Sequence, residues 1–220
     1  MWAMLEVLPE LLHGATVTVK IMILASILAI SLAMLAGLGR LSKNKLISGF
    51  CVVYIEFFRG TALLVQLFWL FFVLPHFGIL LEPIAVAVIG IGLNYGAYGA
   101  EVVRGAILGV SKEQYDATIA LNLSPMRTMW RIILPQAAVI MIPHWGNLLI
   151  QLLKATSLVS LITITEITFR AYQLNQLMVR TVEIFGAVLV IYFCLSQVIK
   201  LGTRSLEGMA AYGRTLGRSS

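Results

Sequence analysis

Charged residues are scarce in this chain. Aspartate, glutamate, lysine and arginine together make up 12% of its 220 residues, whereas overall usage in soluble domains is about 25%. A surface built from so few charges cannot keep a protein of this size in water. The scarcity therefore excludes an ordinary soluble globular protein.

Cysteine and histidine are also rare, with two and three residues respectively. Cys51 and Cys194 stand alone in apolar segments without Cys-x-x-Cys spacing, so we expect buried free thiols rather than a disulfide or a metal site. His13, His76 and His144 lie on separate segments and show no metal-ligand spacing. The sequence therefore predicts no metal site and gives little support to a membrane-embedded enzyme.

Linkers and nucleotide-binding motifs are absent as well. No stretch rich in proline, glycine or serine divides the chain, so we expect one domain over residues 1–220. Glycines cluster in one segment, but their spacing matches neither the dinucleotide-binding fingerprint nor a Walker motif. They suit close packing of helices instead, and they are Gly90, Gly92, Gly96 and Gly99.

Apolar residues are abundant, at 60% of the chain with a mean hydropathy of +0.93. A helix needs roughly 17–25 apolar residues to cross about 30 Å of hydrocarbon. Runs of this kind predict an all-α integral membrane protein with five transmembrane helices, at about 14–39, 47–75, 83–106, 132–153 and 182–201.

The positions of lysine and arginine predict the orientation. With five spans the termini lie on opposite sides, and the side richer in lysine and arginine is cytoplasmic. Most cationic residues follow spans one, three and five: Arg40, Lys43, Lys45, Arg104, Lys112, Arg127, Arg131, Lys200, Arg204, Arg214 and Arg218. We therefore expect the N-terminus outside, the C-terminus in the cytoplasm, and the polar loop at about 108–133 in the cytoplasm too.

This cytoplasmic loop has the sequence signals of two short helices. Ser111 followed by Gln114 predicts a capping box that starts the first helix. Asn122 readily adopts the left-handed conformation that ends a helix. Ser124 as N-cap and Pro125 at the next position predict the start of a second helix. A folded loop outside the membrane is either a docking element or an ordinary inner loop on the membrane surface.

Polar residues recur at helical spacing inside spans three and four. Asn94, Tyr98 and Glu101 form a stripe in span three, with Arg104 three residues later, and the stripe in span four consists of His144, Asn147, Gln151 and Lys154. Such stripes either line a path for a polar solute or join helices through hydrogen bonds. In span two, Glu56 and Arg59 share a helix face beside Gly60, where they neutralise each other or act as interfacial anchors.

The loop resembles the EAA signature of ABC-importer permeases, which is Glu-Ala-Ala, three residues, Gly, nine residues and Ile-x-Leu-Pro. Here it reads Asp116-Ala117-Thr118, Asn122 and Ile132-Ile133-Leu134-Pro135 with every spacing intact. The stretches 56–66, 100–105 and 154–160 resemble the polar amino-acid branch of these permeases. With Gly-Leu-Asn-Tyr-Gly-Ala-Tyr-Gly at 92–99, the Asn122 variant is similar to permeases assigned to ectoine and hydroxyectoine uptake.

Four positions depart from the family pattern. Asp116 replaces Glu, Thr118 replaces Ala, Asn122 replaces Gly and Ala62 replaces a common Pro. Asp116 keeps the charge and Asn122 keeps the turn preference, so we expect docking to survive. Thr118 leaves the tightness of the docking contact open.

The resemblance implies a type I ABC importer transmembrane domain in the bacterial inner membrane. It implies pairing with an identical or related permease, an ABC ATPase beneath and an extracytoplasmic solute-binding protein above. The chain itself would be no enzyme and hold no cofactor, because the ATPase binds ATP and magnesium. The implied coupling residues are Tyr115, Asp116, Ala117, Thr118, Ala120, Leu121, Asn122 and Leu123, and the path residues expected from the two stripes are Asn94, Tyr98, Glu101, Asn147 and Gln151.

A self-sufficient, ion-coupled secondary transporter or channel is the main alternative. Its ions would pass along the stripes that contain Glu101 and Lys154. Many secondary transporters contain internal repeats, and five spans without a repeat count against this alternative.

Overall fold

Helices make up nearly all of the structure, a computed structural model that describes the backbone of residues 2–216 and the side chains of residues 7–210. The helices are α1 (Trp2–Arg40), α2 (Lys45–Gly60), α3 (Leu63–Phe68), α4 (Pro83–Leu108), α5 (Lys112–Ala120), α6 (Pro125–Thr128), α7 (Leu134–Ala155), α8 (Ile167–Met178) and α9 (Thr181–Leu216). The side chains of Arg214 and Arg218, which entered the charge prediction, lie outside the described part.

Within the described residues, four helical segments are long and apolar enough to cross a membrane, and α2 together with the segment Leu63–Phe77 meets the same criteria as one bent pair. A π-turn (Trp69–Val73) and a 3-10 turn (Leu74–Phe77) extend α3. Another π-turn (Met129–Ile133) joins α6 to α7, so the second loop helix continues directly into the fourth span. The prediction of five spans holds when the bent pair is counted as one.

The core is the contact between α1 and α4, where small residues let the two helices approach closely. Ala25, Ala29 and Ala33 are buried on α1. A Cβ atom on Gly37 would lie 2.8 Å from the carbonyl oxygen of Ala100 and 2.8 Å from the Cβ of Val103. Gly99 likewise leaves room for Ala33. The expectation that the glycines of span three serve helix packing is confirmed, because a side chain there would push the helices apart.

The bent second span is held by side-chain amides. The chain turns by 101° between α2 and α3, which frees carbonyl groups at the end of α2. The Nε2 of Gln66 donates to the carbonyl oxygen of Phe58 (3.1 Å) and to the hydroxyl of Thr61 (2.7 Å). The Nδ2 of Asn94 donates to the same Phe58 oxygen at 2.9 Å. The two bonds to Phe58 satisfy a backbone carbonyl, as every backbone polar group inside a bilayer requires.

The two cysteines differ in their surroundings. Cys51 is buried beside Gly39, as expected, but the side chain of Cys194 is exposed on the surface of the protein. The prediction for Cys194 is wrong because it lies on the face of α9 that points away from the rest of the chain. Neither takes part in a disulfide, and the described part of the chain contains no cluster of metal-binding side chains.

Candidate functional site

The loop between α4 and α7 ends its first helix in a Schellman motif. Asn122 has a φ of 51°, the left-handed conformation that the sequence predicts. The backbone amide of Leu123 donates to the carbonyl oxygen of Thr118 (3.0 Å), and the backbone amide of Asn122 donates to the carbonyl oxygen of Ile119 (2.9 Å). These two bonds cap carbonyls that the end of α5 would leave unpaired. The corner between α5 and α6 therefore has a defined geometry.

The starts of the two loop helices differ from each other. Ser124 caps α6, with its Oγ 3.5 Å from the amide of Arg127, and Pro125 takes the first helical position. The predicted start of α5 after Ser111 is confirmed, but the predicted capping box is wrong, because the Ser111 side chain makes no capping hydrogen bond. The Gln114 side chain instead accepts a hydrogen bond from Gln136 (3.1 Å). That bond attaches α5 to the start of α7.

One face of α5 is anchored to the spans. The Tyr115 hydroxyl donates to the carbonyl oxygen of Ile107 at 3.2 Å, and its ring packs on the cluster around Ile133. Burial raises the pKa of Tyr115, so the hydroxyl keeps its proton and remains a donor. Thr118 is only 3% exposed, and its hydroxyl donates to the carbonyl oxygen of Tyr115 (2.7 Å). Thr118 thus faces its own chain, and its side chain is not on the exposed surface of the loop.

The opposite face of the loop is open. Asp116, Ala117, Ala120, Leu121 and Asn122 are exposed, and Leu123 is half-buried. Apolar side chains crowd this surface: Ile119 is 74% exposed and Leu121 is 69% exposed. We call this surface, formed by Asp116, Ala117, Ile119, Ala120, Leu121 and Asn122, the α5 face. Exposed apolar side chains beside polar ones, as on this face, are typical of a docking site.

Apart from Glu101, the predicted path residues fall into two environments. Asn94 is buried and bonds to Phe58 and to the Oε1 of Gln66 (3.2 Å), so its amide holds the bend. Tyr98 is 39% exposed. Asn147 and Gln151 are exposed on α7. The structure therefore separates Asn94, which joins helices, from Tyr98, Asn147 and Gln151, whose side chains are open; their path role stays a prediction.

Glu101 is held by two arginines. Its carboxylate pairs with Arg40 of α1, and its other oxygen lies 3.2 Å from the Nε of Arg104. The sequence indicated Arg104 but not Arg40, which is 61 residues away in the chain. The cluster ties α1 to α4 next to the Gly37 contact. This arrangement favours helix joining over solute contact for Glu101.

A Glu101→Gln variant is expected to melt at a lower temperature in detergent, because Arg40 and Arg104 would lose their carboxylate partner. The cost of such a loss is roughly 1–3 kcal/mol. The double variant Arg40→Gln with Glu101→Gln should recover part of the loss, and the exposed Glu183→Gln serves as the control. A wild-type melting temperature together with reduced uptake would instead make Glu101 a solute contact.

Glu166 is a buried carboxylate that the sequence analysis did not identify. It caps α8 by accepting from the amide of Phe169 (2.9 Å) and accepts from the Tyr192 hydroxyl of α9 (2.9 Å). Thr18 of α1 approaches the same carboxylate at 3.5 Å. Burial raises the pKa of Glu166, and the hydrogen bonds from Phe169 and Tyr192 oppose the rise. Glutamate is not among the preferred N-cap residues, and its partners on α1 and α9 are distant in sequence, so no local signal marked it.

Comparison with known proteins identifies the family. The family described as the binding-protein-dependent transport system inner membrane component matches residues 15–207. The chain belongs to this family. It is the permease subunit of an ABC importer of the amino-acid type, located in the inner membrane, and it works with an ATPase subunit. Membership decides against both the secondary transporter and the membrane enzyme.

Individual relatives agree with this assignment. The permease is 45% identical to a probable amino-acid ABC transporter permease protein, y4tF, of Sinorhizobium fredii, over 89% of this chain and 84% of the relative. It is 37% identical to the L-cystine transport system permease protein TcyB of Bacillus subtilis (92% and 89% covered). It is 35% identical to the glutamine transport system permease protein GlnP of Escherichia coli (91% and 92% covered).

Solved structures show the same fold. The crystal structure of an amino acid ABC transporter with histidines matches with a TM-score of 0.89 and 28% identity, covering 94% of the permease and 97% of that chain. An inward-facing methionine ABC transporter, MetNI, matches with a TM-score of 0.76 at 15% identity, covering 91% and 95%. The second match supports the fold alone.

Proposed function

We propose that the permease translocates a polar amino acid or a related zwitterion, a class that includes ectoine and hydroxyectoine. The relatives named for their solutes carry L-cystine and glutamine, and both solutes bear a carboxylate and an ammonium group. An extracytoplasmic binding protein would deliver the solute to a pair of permeases, identical or related. The partner ATPase would bind ATP and magnesium, and this chain would hold no cofactor.

We further propose that the α5 face is where the ATPase docks. The observation that carries this proposal is the open face itself, with Asp116 among exposed Ile119 and Leu121 on a helix anchored by Tyr115 and Gln114. Because the loop is fixed to α4 and α7, a push on α5 would be transmitted to both spans. ATP-driven closure of the ATPases would then move the permease halves between inward-open and outward-open states.

The eight implied coupling residues divide by role. Asp116, Ala117, Ala120 and Leu121 would contact the ATPase. Tyr115, Thr118 and Leu123 would set the position of the α5 face, and Asn122, itself part of that face, would do so through the turn that it forms. The orientation predicted from the charges, with the N-terminus outside and the loop in the cytoplasm, places the α5 face on the side where ATP is available.

Photo-crosslinking tests the docking proposal. A crosslinking amino acid at Leu121 should capture the ATPase in membranes that contain the complete transporter. The matched control is Leu177, which is equally apolar and 81% exposed but lies at the end of α8. Capture of the ATPase from Leu177 and not from Leu121 would overturn the assignment of the α5 face.

Substitutions at Asn122 test whether the corner positions the face. Asn122→Gly should keep uptake within about 2-fold, because glycine adopts a positive φ without strain. Asn122→Val should cost at least about 1–2 kcal/mol in this conformation and reduce uptake several-fold. Both variants are measured by uptake and by stimulated ATP hydrolysis. Equal activity of the two would mean that the turn does not position the α5 face.

A further inference from the structure

Arg59 is a cation that lacks a carboxylate partner among the described residues. It lies in the last turn of α2 and is exposed, and its guanidinium carbon is 5.4 Å from the centroid of the Tyr98 ring. Glu56 lies one turn earlier on α2, also exposed, and the two side chains form no ion pair. Of the two alternatives for this pair, mutual neutralisation is therefore wrong, because Arg59 turns toward Tyr98 of α4 instead.

The depth of Arg59 in the membrane follows from its distance to the ends of two helices, α2 and α4. At 1.5 Å per residue, Arg59 lies about 22 Å along α2 from its cap at Asn44, and Glu56 lies about 18 Å along it. Counted on α4, Tyr98 is about 15 Å from the inner end at Leu108. All three distances are shorter than the hydrocarbon core, which is about 30 Å thick. Arg59 is thus too deep to anchor the helix at the membrane surface next to Lys45.

The bend fixes the end of α2 that carries Arg59. Gln66 and Asn94 bond to the Phe58 carbonyl directly before it, and the face of Tyr98 holds the guanidinium from the side of α4. Stacking on an aromatic ring leaves the N–H groups at the guanidinium edge free to bind an anion. An ionised side chain at this depth is costly without a partner and usually marks a pathway.

We propose that Arg59 and Glu56 recognise the two charges of the zwitterionic solute in the middle of the membrane. The Arg59 guanidinium binds the carboxylate, for which its planar N–H fork is suited. Glu56, one helical turn away, binds the cationic group, and Tyr98 positions Arg59. This inference rests on the proposed function and adds α2 to the path predicted from α4 and α7.

Uptake by the reconstituted transporter tests this site. Proteoliposomes would contain the permease, its ATPase and the binding protein, with radiolabelled L-glutamine or ectoine as the probe, whichever the wild type accumulates. Arg59→Gln and Glu56→Gln should lower the solute moved per ATP hydrolysed by roughly 10- to 100-fold, the loss expected for one charge-assisted contact. Arg59→Lys should retain part of the wild-type amount of solute moved per ATP hydrolysed. Arg180→Gln and Glu183→Gln, both on exposed positions, are the matched controls.

A second readout separates recognition from folding. ATP hydrolysis stimulated by the loaded binding protein should stay within about 2-fold of wild type in Arg59→Gln. If hydrolysis and uptake fell together in every Arg59 variant, including Arg59→Lys, Arg59 would be structural and the proposal wrong. Unchanged solute per ATP in Arg59→Gln would also overturn it. A wild-type transporter that accumulates neither probe would count against the proposed solute class rather than against this site.

Competition identifies which charge each residue binds. In direct binding to the permease–ATPase complex, L-glutamine methyl ester should compete poorly against labelled L-glutamine in the wild type. Arg59→Gln should lose this discrimination, because the carboxylate no longer has a partner there. N-acetyl-L-glutamine, which lacks the ammonium group, should also compete poorly in the wild type. Glu56→Gln should lose this second discrimination. Discrimination that survives in both variants would contradict the assignment.

Discussion

An Asp116→Arg permease is expected to insert in the membrane normally and to lose uptake by at least about 10-fold. Asp116 is exposed and has no ion pair among the described residues, so its replacement should not disturb the fold. Charge reversal within a docking face is costly, since juxtaposed like charges cost several kcal/mol. Uptake and ATP hydrolysis are measured in the same proteoliposomes, and we expect them to become uncoupled.

The matched control for this charge reversal is Glu183→Arg. Glu183 is exposed in the first turn of α9, away from the loop. The Glu183→Arg permease should transport at nearly the wild-type rate. Normal uptake by Asp116→Arg, at equal amounts of protein in the membrane, would remove Asp116 from the coupling residues.

A Gly37→Leu permease should yield little folded protein. A side chain at Gly37 would overlap the carbonyl oxygen of Ala100 and the side chain of Val103, and backbone atoms cannot move aside as a flexible side chain can. Overpacking typically costs 1–3 kcal/mol, occasionally more, and here it would separate α1 from α4 along the core. The yield of monodisperse protein in detergent and its melting temperature measure the effect.

Gly49→Leu is the control for the packing prediction. A side chain at Gly49 on α2 meets nothing within 4 Å, so its yield should match the wild type. If Gly37→Leu were equally stable, the close contact between α1 and α4 would not support the fold.

Sequence reasoning succeeded where the determinants are local. Ser124 and Pro125 start α6, and Asn122 takes a positive φ, because caps and turns depend on a few neighbouring residues. It failed where the partner is distant. The side chain of Gln114 bonds to Gln136 rather than to the helix start.

The same reason explains the candidate site. The stripe through Asn94, Tyr98 and Glu101 was visible in the sequence, but its partners were not. Asn94 bonds to Phe58, 36 residues away, and Glu101 to Arg40, 61 residues away. The helical spacing of Glu56 and Arg59 is compatible with an ion pair. Only the structure shows that the Arg59 guanidinium instead lies over the ring of Tyr98. Thr118 appeared to belong to the docking surface, yet the rotation of α5 buries it.

Uptake by defined proteoliposomes shows whether this permease transports only when the ATPase acts through the α5 face. Vesicles with the complete transporter and internal ATP should accumulate the labelled zwitterion. Vesicles with the permease alone, or with the ATPase and the Asp116→Arg permease, should not. Accumulation by the permease alone would contradict the account.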